Sequence, residues 1–105
     1  MKLWVDTKPA PEGMYWVARS VNEAKSFIEE FEICAFPFIK FELIDIGHNA
    51  GDYVSEGGHY IKLLEWLEET GRNYPIHIHS DNQINLLCMR EIIKRNGWKE
   101  ICLRK

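Results

Sequence analysis

The chain has 105 residues, 46% of them hydrophobic and 12% aromatic, which is typical of one globular domain and excludes a disordered protein. The formal net charge of −3 excludes a broad basic surface that would hold a nucleic-acid backbone. We expect a single domain over residues 1–105, located in the cytoplasm, because no apolar segment has the length of a signal peptide or a membrane span.

Two short strands are predicted at the start of the chain. An apolar run at residues 3–5 ends at Asp6 and indicates a buried strand. Proline and glycine at residues 9–13 predict a stiff loop after it, and residues 15–18 form the second strand. The first strand therefore ends in an acidic residue beside a loop.

A capped helix and a third strand follow. Ser20 and Glu23 have the spacing of a capping box, in which the hydroxyl accepts from a helical amide and the carboxylate reaches back. The helix is expected over residues 21–31, with one apolar stripe. An extended segment over residues 38–46 comes next, and Asp45 lies near its end. A second strand thus ends at an acid.

A polar loop and a second amphipathic helix occupy the middle of the chain. Residues 47–58 are rich in Gly, Asn, Asp and Ser, and a loop of this length often carries function. The next helix has apolar residues at the spacing of one helix face, namely Tyr60, Leu63, Leu64 and Leu67. Gly71 is expected to end this helix.

A fourth strand, a third helix and a fifth strand complete the pattern. Residues 75–79 form the strand, and Ser80, Asp81 and Asn82 then offer three N-cap side chains. The third helix is expected to bury the stripe Ile84, Leu87, Cys88 and Ile92. The cysteines are expected to be reduced core residues: Cys34, Cys88 and Cys102. Residues 98–103 supply the last strand.

Strands that alternate with amphipathic helices predict a parallel sheet, because each right-handed crossover covers one face with a helix. The expected fold is α/β, a three-layer receiver- or flavodoxin-like sandwich with a mainly parallel sheet of about five strands. Ligands bind such sheets outside the carboxyl ends of the strands. Asp6, Asp45 and His79 all lie at that edge, and we predict them as the catalytic residues.

Two carboxylates at neighbouring strand ends predict a shared cation or a shared proton. Asp6 and Asp45 together could bind Mg²⁺, which is usually coordinated by one or two protein carboxylates and retains several water ligands. Alternatively, each acid accepts backbone N–H bonds in its own loop, as in an Asx turn. The candidate metal ligands are therefore Asp6 and Asp45, and the candidate cofactor is Mg²⁺.

Residues 79–82 form the densest polar cluster, at a strand-to-helix junction whose amides and helix dipole favour an anion. His79 suits general acid or base catalysis, because the ordinary pKa of a histidine lies near neutrality. The candidate substrate-binding residues are Thr7, Lys8, His48, Ser80 and Asn82. Alternatively, the polar side chains of the cluster only cap the helix and Lys8 only faces solvent.

A His-x-His pair offers a different metal site. His77 and His79 project from the same face of the fourth strand, so a transition metal bound with Asp45 or His48 is one interpretation. His77, however, lies two positions deeper in the sheet. The preferred interpretation is a hydrogen-bonded core imidazole, which is the commoner outcome for such a histidine.

Short motifs along the chain carry a family resemblance. They are Leu3-Trp4-Val5-Asp6, a Pro-x-Pro-x-Gly loop at residues 9–13, Trp16, Glu23-Ala24 and Trp66-Leu67-Glu68-Glu69. The later segment adds His79, Ser80 and Asn82, with Met89 ten residues after the histidine. On these residues the chain, from residue 1 to about residue 93, is similar to the cyclic-phosphate processing receiver-like domains.

The resemblance implies a receiver-like fold and metal-assisted or acid-base processing of cyclic phosphates. The implied partner is a phosphate-containing small molecule, such as a nucleotide, or an RNA end. The family usually has a second acid after the first strand, where Thr7 stands here, and an Asp-His-Asp-Leu-Gly run after the third. Leu43 and Ile44 replace the first Asp and the His of that run, whereas Asp45 is kept. His48 lies close in sequence to the missing groups, as does Glu42.

Three functions are therefore considered. The leading hypothesis is a small phosphoesterase that acts on a cyclic phosphate, with His79 delivering a proton. The alternative, motivated by the missing acids, is a non-catalytic domain that binds a nucleotide or a partner protein. The third is a signalling receiver phosphorylated on Asp45, with Asp6 as the acid and Ser80 as the hydroxyl. The end of the chain at Lys105, without another helix, disfavours this third interpretation.

Overall fold

The computed structural model describes residues 1–34, 41–80 and 82–102 of the chain. Its sheet has four parallel strands in the order β2-β1-β3-β4. The strands are β1 (Lys2–Val5), β2 (Tyr15–Ala18), β3 (Leu43–Ile46) and β4 (Ile76–Ile78). The helices are α1 (Val21–Cys34), α2 (Ile61–Glu69) and α3 (Gln83–Asn96). The predicted receiver-like α/β class is confirmed, with four strands in place of about five.

The three described helices form one row on one face of the sheet, so two layers are observed and the third layer of the predicted sandwich has no helix among the described residues. The chain moves in the same direction across the sheet from β2 to β3 and from β3 to β4, so right-handed connections place α1 and α2 together. α2 packs between α1 and α3. The connection from β1 to β2 runs in the opposite direction and therefore crosses the other face. It is a loop without a helix, residues 6–14, fixed where Trp4 Nε1 donates to the Lys8 carbonyl at 2.9 Å.

The hydrophobic core lies between the sheet and this row of helices. Alternating strand residues point into it and are fully buried, among them Leu3, Val5, Ile44, Ile46 and Ile76. The predicted stripe of α2 is confirmed, because Leu63, Leu64 and Leu67 are all buried. Among the described helices, none combines the length and the apolarity needed to cross a membrane. The core fixes the strand ends, and with them the polar residues that follow.

Side chains cap the first and third helices. The Glu23 amide donates to Ser20 Oγ at 3.0 Å, as the capping spacing predicts. The Glu23 carboxylate accepts from the Arg19 amide at 2.8 Å, one residue earlier than in a standard capping box. The Asn82 side chain accepts from the Asn85 amide at 3.0 Å and so caps α3.

The strand predicted at residues 38–46 is shorter in the structure. β3 begins at Leu43, and residues 38–40 lie outside the described part of the chain. Phe41 is buried against Phe31 of α1, with ring centroids 4.3 Å apart, so the chain turns toward the helix before it joins the sheet. An apolar run does not distinguish this kind of packing from a strand.

The fifth strand is reduced to one bridge within the described residues. Glu100 pairs with Ile76 in parallel, through bonds from the Ile76 amide to Lys99 and from the Ile101 amide to Ile76. β4 has only three residues, so a neighbouring strand can form few backbone hydrogen bonds with it. The prediction of a strand over residues 98–103 is therefore confirmed only at Glu100, where the bridge forms, and residue 103 lies outside the described residues.

The predicted apolar stripe of α3 is also wrong, except at Ile92. Ile84 is 74% exposed and Leu87 65% exposed. The core instead receives Met89, Ile92 and Ile93, with Leu86 partly buried against it. Leu86, Met89 and Ile93 also have helical spacing, and spacing alone does not say which of two stripes meets the sheet.

Two of the three cysteines predicted as core residues are exposed. Cys88 belongs to the outward stripe of α3 and is exposed. Cys102 follows the bridge at the sheet edge and is exposed as well. The side chain of Cys34 lies outside the described part of the chain. Exposure at two positions leaves these thiols without the burial that a packing role requires.

Candidate functional site

His79 joins two acidic strand ends. Asp6 follows β1, Asp45 lies in β3 and His79 follows β4, at the carboxyl edge of three adjacent strands. His79 Nδ1 lies 2.6 Å from Asp45 Oδ1, and His79 Nε2 lies 2.7 Å from Asp6 Oδ2. The imidazole ring therefore bridges both carboxylates, and the three residues predicted as catalytic are in direct contact.

Two neighbours fix the His79 ring in this position. Trp4 stacks on it, with centroids 4.1 Å apart and planes inclined by 2°. Gly47 lies so close to the ring that a Cβ there would be 2.7 Å from Asp6 Oδ2 and 3.2 Å from His79 Nε2. Stacking of His79 on a neighbour was one expectation from the sequence, but neither Trp4 as the partner nor the steric requirement at Gly47 leaves a pattern in one sequence.

The paired carboxylates favour the charged form of His79. Burial opposes ionisation of the ring, but the hydrogen bonds to Asp45 and Asp6, together with their charges, raise the pKa of His79 above its ordinary value. An imidazolium donates from both nitrogens, whereas a neutral ring donates from one. Because an oxygen acceptor faces each nitrogen, the two contacts favour the ring that carries both protons.

Asp6 also organises its own loop. Its Oδ1 accepts from the Thr7 amide at 2.7 Å and from the Lys8 amide at 3.3 Å. These are the local backbone bonds that were expected as the alternative role of a strand-end acid. Asp6 Oδ2 is hydrogen-bonded to His79, so the same carboxylate both stabilises the turn and contacts the site histidine.

An open cavity lies directly above this cluster. It has a volume of about 530 Å³ and its lining includes Trp4, Asp6, Thr7, Lys8, Pro9, Pro11, Gly47, His48, Asn49, Gly51, His79 and Ser80. Six of the predicted site residues are in that set, whereas Asp45 is absent from it and is only 2% exposed. The loop from β1 to β2 thus forms one wall and the loop after β3 another.

Ser80 and Asn82 have different surroundings. Ser80 Oγ lies 2.6 Å from His48 Nδ1 and accepts from the Asn82 amide at 3.1 Å, so it borders the cavity with a partner already in place. Asn82 caps α3 and lines a neighbouring cavity with His59 and Met89. The structure therefore brings Ser80, but not Asn82, to the cavity over His79. Asp81 lies outside the described residues.

His77 adds a third member to the Asp45 cluster. Its Nδ1 lies 2.9 Å from Asp45 Oδ1, which fits the hydrogen-bonded core imidazole preferred from the sequence. One ligand atom from each of Asp45, His77 and His79 lies within 4.8 Å of the others, so this group could hold a metal ion. The paired spacing of the two histidines was the sequence signal for this contact.

The donor set does not fit the predicted Mg²⁺ site. Mg²⁺ prefers oxygen ligands, whereas the triad supplies two imidazole nitrogens and one carboxylate oxygen. The ring of His79 also lies between Asp6 and Asp45, so an ion shared by the two acids would have to displace it.

Two sequence-based alternatives are disfavoured by position. Glu42 lies at the opposite end of the sheet, where its exposed carboxylate is 3.7 Å from the N-terminal amine of Met1, so it does not replace a missing acid. Asp45 is buried and its Oδ1 contacts both His77 and His79, which leaves it poorly placed for phosphorylation as in a signalling receiver.

The comparisons with known proteins agree with the architecture. A family model described as "Cyclic-phosphate processing Receiver domain" matches residues 1–95. The matched segment includes all four strands, all but the last residue of α3, and every residue that lines the cavity. Searches of the curated proteins and of the solved structures each gave no match.

Proposed function

This chain belongs to the family of cyclic-phosphate processing receiver domains, and on that basis we propose that it binds cyclic phosphates of nucleotides or RNA ends and hydrolyses them. The observation that carries the proposal is a histidine held between two carboxylates at the floor of a cavity. Such a pairing is typical of groups that transfer protons in catalysis.

Cationic and polar groups around the cavity support phosphate binding. Lys8 borders it on the β1–β2 loop, and protonated His79 lies at its base, so two positive charges face a monoanionic cyclic phosphate. Ser80 and His48 add a hydroxyl and an imidazole on the opposite wall. Because Asp6 lies among them, the anion is expected to bind only while His79 is protonated.

The proposed reaction is hydrolysis of one ester bond. Water adds to phosphorus, the bond to one ribose oxygen breaks, and His79 gives its Nε2 proton to that leaving oxygen. Asp6 accepts the proton that the attacking water loses. That proton then crosses the 2.7 Å contact from Asp6 Oδ2 to His79 Nε2, which restores both groups. Asp45 keeps the ring oriented through Nδ1 throughout.

A second candidate function is binding without turnover. Thr7 stands where the family usually has a second acid, and Asp6 Oδ1 already accepts two loop amides. The carboxylate of Asp6 thus already has a structural role in its own loop. A domain that recognises a nucleotide or a partner protein needs only the cavity and its charges.

The deciding experiment is turnover of 2′,3′-cyclic, 3′,5′-cyclic and ADP-ribose cyclic phosphates by the full chain, in buffer that contains EDTA. His79→Gln removes the charged ring, and His59→Gln is the matched control because His59 lies outside the cavity over His79. Hydrolysis that is lost only in His79→Gln supports the enzyme. Saturable binding by calorimetry without product supports the binding domain, and the absence of both contradicts the proposal.

A further inference from the structure

The contact between Asp45 and His77 is not used by the proposed hydrolysis. His77 is absent from the residues that line the cavity over His79, yet its Nδ1 points at the same Asp45 oxygen that His79 contacts. The side chains of His77 and His79 are 18% and 17% exposed, and that of Asp45 is 3% exposed. Solvent therefore reaches both rings but barely reaches the carboxylate between them.

We propose that Asp45, His77 and His79 form a transition-metal site that takes Zn²⁺, with Asp6 as the outer partner of His79. The three donors are two imidazole nitrogens and one carboxylate oxygen, a set that zinc commonly uses. Three protein ligands leave a fourth tetrahedral position for water. Zinc would take the place of the His79 Nδ1 proton, so this proposal concerns the metal-loaded chain, whereas the proposed hydrolysis concerns the chain in EDTA.

The two nitrogen–oxygen distances at Asp45 require little rearrangement. The Nδ1 atoms of His79 and His77 lie 2.6 and 2.9 Å from Asp45 Oδ1. An ion bonded at about 2.0–2.2 Å in tetrahedral geometry holds its donors about 3.3–3.5 Å apart. If zinc takes the place of the protons in these two contacts, the distance from each histidine nitrogen to the Asp45 oxygen has to increase by less than about 1 Å.

The second nitrogen of His79 is arranged as in a zinc ligand. Histidines that bind a metal usually donate their other N–H to a carboxylate, which fixes the ring and raises its basicity. His79 Nε2 has this partner in Asp6 Oδ2 at 2.7 Å. Asp6 is held in turn by the Thr7 amide, and Trp4 stacks on the His79 ring. The ring is therefore oriented before any ion arrives.

β-strand geometry explains why both histidines reach one carboxylate. His77 and Asp45 are directly opposed in the register of β4 against β3, and His79 is two residues farther along on the same side. Asp45 thus meets one histidine across the ladder and the other diagonally. Ligands placed on a sheet in this way are held more rigidly than ligands on loops.

The test is metal binding by the full chain after treatment with a chelator. Zn²⁺ affinity is measured by competition with a chromophoric chelator, and Co²⁺ is added as a spectroscopic substitute that reports coordination geometry and ligand type. His77→Gln removes a ligand and Asp6→Asn weakens the outer partner of His79. His59→Gln is the matched control, since His59 lies outside the triad.

We expect one Zn²⁺ per chain and a tetrahedral Co²⁺ spectrum without the sulfur-to-metal band that exposed Cys88 or Cys102 would produce. Asp6→Asn should weaken zinc binding by about 10–100-fold and His77→Gln by more, whereas His59→Gln should not change it. Zinc binding that is absent, unaffected by His77→Gln, or accompanied by the sulfur band would overturn the proposal. A negative result for zinc binding says nothing about hydrolysis measured in EDTA, so each proposal can be refuted without the other.

Discussion

Substituting Gly47 by alanine should uncouple Asp6 from His79. The new Cβ would lie 2.7 Å from Asp6 Oδ2, 3.1 Å from its Cγ and 3.2 Å from His79 Nε2. The backbone cannot easily retreat, because the Gly47 amide is bound to the Val5 carbonyl at 3.0 Å. The carboxylate must therefore move away from the ring. We expect a loss of about 1–3 kcal/mol of unfolding free energy, as for other overpacked sites.

Urea unfolding measures the free energy, and an NMR titration of the imidazole protons measures the pKa of His79. Because Asp6 is one of the two carboxylates that raise this pKa, Gly47→Ala should lower it toward the ordinary histidine value. Gly71→Ala is the control: its Cβ meets open space, so its positive φ of 70° costs about 1–2 kcal/mol without changing the pKa. An unchanged pKa in Gly47→Ala would refute this reasoning.

Three further predictions concern stability. The free energy of unfolding that protonated His79 contributes is fully present below the unfolded histidine pKa of about 6.5, and it is lost as the pH rises through the raised pKa of the folded state. The urea midpoint should therefore fall over this pH range in the wild type and not in His79→Gln. Asn82→Ala should cost about 1 kcal/mol in urea unfolding, because the cap on the Asn85 amide is lost. Thermal unfolding should show that Leu87→Ala changes stability by less than about 0.5 kcal/mol, whereas Met89→Ala, at a position 1% exposed, costs about 2–5 kcal/mol; equal costs would contradict the orientation of α3.

Much of the fold follows from local sequence signals. The spacing of Leu63, Leu64 and Leu67 predicts the buried face of α2, and Ser20 predicts the start of α1. The alternation of strands and helices then predicts the parallel sheet. These signals agree with one another, which is why the architecture could be predicted from one sequence.

The errors occur where two interpretations have the same pattern. α3 carries two stripes with helical spacing, and only packing against α2 and β4 selects the one that contains Met89. Phe41 belongs to an apolar run that resembles a strand, but its ring packs on α1. In both cases tertiary contacts determine which residues are buried and which segment forms a strand, and local sequence propensity does not contain that information.

The candidate site was predictable in part. Asp6, Asp45 and His79 follow from the rule that strand ends meet at one edge of a parallel sheet. The rule does not say that His79 lies between the two acids, which removes the room for a shared Mg²⁺ ion. It also gives no sign that Gly47 must lack a side chain. Distances of this kind depend on side-chain orientation, which the spacing of residues does not contain.

The loop from β1 to β2 gives the site its shape. A helix usually covers this connection in parallel sheets, but residues 6–14 form a loop that supplies Thr7 and Lys8 to the cavity. The bond from Trp4 Nε1 to the Lys8 carbonyl fixes the loop beside the ring of His79. The same tryptophan therefore orients the proton carrier and the wall next to it.

The most direct test of phosphate binding is a ¹H–¹⁵N NMR titration of the full chain with 2′,3′-cyclic AMP in EDTA. Binding over His79 predicts saturable shifts in the amides of Thr7, Lys8, Gly47 and Ser80, and their loss in His79→Gln. No saturable shift, or shifts confined to the separate cavity around Asn22 and Tyr53, would contradict the account.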